Sequence, residues 1–185
     1  MHRISIKIDS PRPDYVKEMA EVAGLFFDAP ALTDGEADLC VLHTEQLAEG
    51  QRRCDIRLSG CLNGEHSNTQ ISMADPLVDK RLHKRQVKLA LYHALKQATG
   101  QHPPWGSLTG IRPTRLIYEA LGEGLTLNRA CARMMDVFDL RPESAGLLAV
   151  VVDTQRRLPQ AQPDEVDIYI GIPFCPSRCR YCSFI

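Results

Sequence analysis

Apolar and polar residues alternate from Arg3 to Asp9, placing Ile4, Ile6 and Ile8 on one side. A period of two over this length predicts a half-buried strand. Pro11 and Pro13 end it, and Asp14 is then positioned to cap a helix to about Phe27, with Val16, Met19, Ala20, Ala23 and Phe27 along one side. A short apolar strand is expected over Asp38 to His43. Alternation returns over Cys54 to Leu58 and Thr69 to Met73, and the intervening Asn63-Gly64 signals a hairpin. Residues 1–75 thus read as a small mixed α/β region.

The period changes after that. Leu82, Leu89 and Tyr92 recur at helical spacing within Asp79 to Ala98, and Gly100 is a stop. A Pro- and Gly-rich break follows, from His102 to Pro113. Pro113 suits the first turn of a helix to Leu121 that Gly122 and Gly124 end. Two further helices are expected over about 127–137 and 142–157, making 76–158 a helical region. Residues 159–165 are polar, hold two prolines and read as a linker. From Val166 to Phe174 the chain is apolar nearly throughout, with Ile168, Ile170 and Ile172 alternating with Asp167, Tyr169 and Gly171. This predicts a strand buried on both faces, as in a parallel sheet or barrel. In barrel enzymes the loops after such strands build the active site.

Composition narrows the class. The 185 residues suffice for one good core, or for a small domain plus part of another. With 22 Lys+Arg against 23 Asp+Glu, the net field calls for neither nucleic acid nor an anionic membrane as partner. The N-terminus has no long apolar block, so neither a signal peptide nor a transmembrane helix is expected. Seven cysteines without a secretory signal read as reduced thiols in the cytoplasm.

Three of those cysteines carry the chemistry. Cys175, Cys179 and Cys182 fall within eight residues, at a spacing that fits neither a helix face nor a strand face. Soft thiolates gathered on one loop suit zinc or an iron–sulfur cluster. Structural zinc takes four protein ligands, and Cys40, Cys54, Cys61 and Cys131 form no partner knuckle for the fourth. A [4Fe–4S] cube held by three cysteines keeps one iron open for chemistry. The spacing favours the cluster and leaves a zinc-binding module as the alternative.

The run Tyr169-Ile-Gly-Ile-Pro-Phe-Cys175-Pro-Ser-Arg-Cys179-Arg-Tyr-Cys182-Ser-Phe resembles the cluster motif of radical S-adenosylmethionine enzymes. More narrowly it is similar to the oxygen-independent coproporphyrinogen III oxidase family. The Leu108-Thr-Gly-Ile-Arg-Pro-Thr-Arg115 segment resembles the HemZ branch of that family, coproporphyrinogen dehydrogenase-like proteins in which a similar run precedes the barrel. The resemblance implies that Cys175, Cys179 and Cys182 bind three irons of a [4Fe–4S] cluster, the fourth holding S-adenosylmethionine. One electron then cleaves the sulfonium, and the resulting radical abstracts hydrogen from a porphyrinogen propionate, which loses carbon dioxide. Tyr169 and Tyr181 match the aromatic positions beside cluster and cofactor, and no catalytic residue is assigned. A porphyrinogen substrate and a flavodoxin- or ferredoxin-like reductant are implied as partners.

Two departures stand out: Gly171 replaces a usual histidine, and Phe184 a usual fourth cysteine. They keep open a heme- or porphyrin-handling relative without oxidase activity. A complete eight-unit barrel takes about 250 residues, and only residues 166–185 could belong to one. The expected fold class is therefore a mixed α/β region, a helical region, and the first strand and cluster loop of an incomplete radical S-adenosylmethionine barrel. On this reading the chain is the truncated N-terminal part of an enzyme, inactive alone.

The remaining features have plainer readings. Cys40, Cys54, Cys61 and Cys131 read as small apolar fillers. Lys80, Arg81, Lys84, Arg85 and Lys88 form a basic helical row that reads as a solvated face. Arg112, with Thr109, Gly110 and Arg115, serves either a structural turn that docks the accessory region or an anionic group. Trp105 and His102 are expected to pack as a hinge. His43, His66, His83 and His93 show no ligand spacing.

Overall fold

The computed structural model describes residues 4–110, 112–158, and 166, 168, 170–172 and 174. Its first unit is a five-stranded mixed sheet in the order β2-β1-β3-β4-β5. Strand β1 (Ser5–Asp9) pairs in parallel with β2 (Ala31–Leu32) on one side and with β3 (Leu39–Ala48) on the other. Strands β3, β4 (Gln51–Gly60) and β5 (Gly64–Ile71) continue as an antiparallel meander. Between β3 and β4 the chain reverses at Glu49 and Gly50, with φ of 50° and 73°. Two successive left-handed residues make the turn whose twist matches a right-handed hairpin.

The four strands expected within residues 1–75 are present, but β3, β4 and β5 are longer than the apolar runs that announced them, and β5 ends at Ile71, two residues before its forecast. Strand β5 shows why. Its half-buried positions include His66, Asn68 and Gln70, polar residues that no hydrophobic count would assign to a covered face. The helix above meets two of them: the His66 ring lies 5.1 Å from that of His93, and Asn68 bonds to Gln86 in part. The Asn68 and Gln86 side-chain oxygens are buried without a partner among the described residues. The Asn68 side-chain amide donates to the Gln86 carbonyl (3.0 Å), and the Gln86 amide donates to Arg52 O (2.8 Å) and Asn68 O (3.2 Å).

The first helix also differs from its forecast. Pro13–Tyr15 is a 3-10 turn that contains Asp14, and α1 spans only Val16–Ala23, with no side-chain cap. Its buried stripe is Tyr15, Met19, Val22, Ala23 and Phe26, rotated from the expected one. Long α2 (Pro76–Thr99) begins three residues earlier than its apolar spacing suggests, because Asp75 is the cap. Asp75 Oδ1 accepts from the backbone N–H of Leu77 (2.8 Å) and Val78 (3.1 Å). Replacing Asp75 with alanine should lower stability by about 1 kcal/mol, while Asp75→Asn retains most of it. Urea denaturation of both variants checks this; equal losses would show that the cap bonds contribute nothing.

Helices α1 and α2 close the sheet's core, in which Ile6, Leu39, Val41, Ile56 and Leu58 meet Val87, Leu91 and Leu95. A second core lies among α3 (Pro113–Gly122), α4 (Leu127–Phe138) and α5 (Pro142–Arg157), around Ile117, Ala130, Met134, Leu140 and Leu148. These three helices lie within a residue or so of where Pro113, Pro142 and the apolar spacing put them. Among the described residues no helix is long and apolar enough to cross a membrane.

Candidate functional site

The motif cysteines Cys175, Cys179 and Cys182, with Tyr169, Tyr181 and Phe184, lie outside the described residues. The run leading to them is described at six positions. Val166, Ile168, Ile170, Ile172 and Phe174 are between 76% and 86% exposed, and none of the described positions is in a strand. The strand expected there is thus not part of the five-stranded sheet. An apolar strand gains its stability from neighbours on both edges and both faces, and none of the described elements provides them. Among the described residues no group of three or more histidine, cysteine or acidic side chains is arranged to hold a metal. Cys40, Cys54, Cys61 and Cys131 are free thiols. Burial, with Glu45 and Asp55 nearby, pushes the Cys54 thiol up to about 12, the state of an inert filler.

The Pro- and Gly-rich break between α2 and α3 is a stitched junction. Its Trp105 packs against the second core. Ser107 N–H and hydroxyl both donate to the Phe138 carbonyl (2.8 and 3.2 Å), and Arg141 N–H donates to Pro104 O (3.1 Å). Opposite it, Asp139 caps α4 in a left-handed conformation (φ 58°). Its carboxylate accepts from Tyr92 hydroxyl (2.8 Å) and Lys96 Nζ (2.6 Å), both on α2, and lies 3.3 Å from His102 Nε2. Burial opposes its ionised form, but the Lys96 and Tyr92 hydrogen bonds outweigh that and hold its pKa below the usual carboxylate range. Tyr92 belongs to the first core, so this carboxylate ties the two cores together. His102 and Trp105 act as the clasp of that joint.

Beside the joint runs a cleft of about 440 Å³ between α2 and the 107–119 segment. Its apolar floor includes Leu82, Leu89, Leu108, Leu116 and Phe138. Five cations line it, Arg81, Lys84, Arg85, Lys88 and Arg115, against one carboxylate, Glu119. Of the basic row, Lys84 and Lys88 are half-buried in the cleft and Arg81 and Arg85 stay exposed at its rim, so the expected solvated face holds in part; Lys80 lies outside the lining, 3.8 Å from Asp14. The signal was present in the sequence: Val78, Arg81, Leu82, Arg85 and Leu89 recur on one helical face, apolar and basic together. Of the residues grouped with Arg112, Thr109 and Arg115 line the cleft. Arg112 itself is exposed at the α3 N-cap, makes no side-chain capping bond, and is not in the lining.

Lys84 pairs with Glu18, and Arg115 with Glu119 (3.0 Å). Among the described residues, Lys88 Nζ donates to the Thr109 carbonyl, at 3.4 Å, and to no carboxylate. Burial lowers its pKa, with Glu21 and Glu18 opposing that shift from nearby. The Arg85 guanidinium lies 4.9 Å over the Phe138 ring, and its pKa is lowered by desolvation and then by Arg133.

A third polar group, unforeseen because its members are distant in sequence, is buried under the sheet. His83 Nε2 lies 2.5 Å and His43 Nε2 3.3 Å from the same Glu45 oxygen. Ser10 hydroxyl sits 2.8 Å from His43 Nδ1. The strand expected over Asp38 to His43 stopped short of Glu45, so even this pair on one strand face was not anticipated.

Over 195 residues, 98% of this chain is 34% identical to the oxygen-independent coproporphyrinogen-III oxidase-like protein HemZ of Bacillus subtilis (strain 168). The chain spans 38% of that relative's length. No protein-family model matches the chain. The resemblance carried by the cysteine motif and the Thr109-Gly110 run thus extends over nearly the whole chain, including the first 75 residues, which carry no motif of their own.

Proposed function

We propose that this chain is the accessory region and cluster-bearing start of a radical S-adenosylmethionine enzyme of porphyrin biosynthesis, acting by oxidative decarboxylation of coproporphyrinogen III propionates. One observation carries the reading: a three-thiol cluster motif occurs in a chain similar along 98% of its length to a coproporphyrinogen-III oxidase-like protein. The donor set suits the group, since three thiolates at Cys-x3-Cys-x2-Cys spacing fit three irons of a cube and leave the fourth open. Cys175, Cys179 and Cys182 would hold those irons, and Tyr169 and Tyr181 would flank the bound cofactor. Such a cluster supplies the single electron that cleaves S-adenosylmethionine. A small flavodoxin- or ferredoxin-like protein is the fitting reductant.

In this reading residues 159–165 link the accessory region to a barrel that opens at 166. The exposure of five apolar side chains between Val166 and Phe174 supports it, because such a run asks for a covering layer. Gly171 and Phe184 favour a second reading of the same site, in which a cluster-bearing relative handles heme or porphyrin without decarboxylating it.

Anaerobic reconstitution of the chain with ferrous iron and sulfide tests the shared premise. A brown product with absorbance near ~400 nm is expected from thiolate-to-iron charge transfer, and Cys179→Ala should lose it. Addition of S-adenosylmethionine should shift the electron paramagnetic resonance signal of the reduced cluster. A colourless product that takes up zinc instead would overturn both readings.

A further inference from the structure

The cleft beside α2 is built in a way that the cluster chemistry does not use. Arg81, Arg85 and Lys88 line one wall, and among the described residues none of the three is in ion-pair contact with a carboxylate. The nearest carboxylates are engaged or stand off: Glu18 on Lys84, Glu119 on Arg115, and Glu21 near Lys88 without contact. Arg81 and Arg85 are exposed at the rim, whereas Lys88 is half-buried, and a cation drawn out of water without a counter-charge costs stability. Thr109, also in the lining, has a buried hydroxyl with no hydrogen-bond partner among the described residues. Unpaired donors around a concave floor are the arrangement of a site waiting for an acceptor.

The floor constrains what that acceptor is. Leu82, Leu89, Leu116 and Phe138 would stay wet beneath a small inorganic anion, whereas an uncharged apolar molecule would bury the cations unpaired. Cations stand on two walls, Arg85 and Lys88 on α2 and Arg115 on α3, so a ligand with more than one anionic group can engage both. The volume, about 440 Å³, falls within the range of small-molecule sites.

We infer that the cleft between α2 and the 107–119 segment binds an amphiphilic organic polyanion, an apolar body carrying two or more carboxylate or phosphate groups. The body lies on Leu82, Leu116 and Phe138. Arg85 and Lys88 take the anionic groups, Arg115 exchanges its Glu119 partner for one of them, and the Thr109 hydroxyl donates the remaining hydrogen bond.

The test needs no cluster, so its failure and the failure of the cluster reading are separate events. The 185-residue chain is titrated with coproporphyrin III, a flat tetracarboxylate, by fluorescence, and with ATP by calorimetry. One of the two should bind saturably at one site: coproporphyrin III identifies carboxylate ligands, ATP phosphate ligands. The Arg85→Ala/Lys88→Ala double variant should weaken that binding at least about ten-fold, and raised salt should weaken it too. Lys88→Arg should stay within about three-fold, keeping the charge. Circular dichroism confirms folding, and exposed Arg115→Ala supplies a second readout should the double variant unfold. No saturable binding of either probe, or undiminished binding to folded variants, overturns the proposal.

Discussion

Gly106→Ala should destabilise the chain by at least about 3 kcal/mol, the largest loss expected of any single-methyl addition in this molecule. Two costs combine. Gly106 has φ of 55°, which an L-residue adopts at a cost of about 1–2 kcal/mol. A Cβ there would overlap the Phe138 carbonyl oxygen and fall 2.6 Å from the carbonyl carbon and oxygen of Asp139. Those are backbone atoms at the end of α4, and they cannot swing aside as a side-chain tip can. Moving them displaces the Asp139 carboxylate from Tyr92 and Lys96 and loosens the tie between the two cores. Phe138 also floors the basic cleft, so the same substitution should blunt ligand binding there. Gly122→Ala is the matched control: nothing lies within 4 Å of its Cβ position, at the end of α3. It should be neutral or gain up to about 1 kcal/mol. A Gly106→Ala protein that melts within a degree or two of the parent would show that the 103–107 loop does not approach α4 as closely as described.

How much of this could be read from sequence depends on whether the information is local. Helices α3, α4 and α5 were legible because Pro113 and Pro142 mark their first turns and apolar spacing marks their lengths. Strand β5 was legible only in part, since the partner of its inward Asn68 amide N–H is the Gln86 carbonyl, eighteen residues on. The α1 stripe was misplaced because Tyr15, whose polar tip meets His83 across 68 residues, counts as buried only once the partner is known. The same holds for function. The cysteine motif is eight contiguous residues and speaks for itself, whereas the cleft needs α2 and the Thr109–Arg115 segment brought together. Charge on a helix reads as solvated until another element arrives to face it.

The buried histidine pair leads to the second large effect. His43 and His83 both have pKa values lowered by burial, partly offset by Glu45, so the folded state holds them neutral below the usual histidine range. His66 and His93, with ring centroids 5.1 Å apart between β5 and α2, are lowered by burial as well. In the unfolded chain all four take protons as pH falls through about 6.5. The unfolded state then binds more protons than the folded one, so stability rises with pH across this window and falls on acidification. Each histidine kept neutral can contribute a slope of up to about 1.4 kcal/mol per pH unit. Carboxylates with lowered pKa, such as Asp55, Asp79 and Asp139, lose their contribution only at lower pH, so the upper window belongs to the histidines. Glu45→Ala should then act twice. At neutral pH it leaves His83 Nε2–H buried without its acceptor and should cost about 2–3 kcal/mol. It also removes the charge that helps the folded state hold a proton on either ring, so the acid slope should steepen. Urea midpoints measured from pH 7.5 to 5 for both proteins decide this. A flat wild-type profile, or a shallower slope in Glu45→Ala, would mean that the pair is solvated and that Glu45 does not govern its protonation.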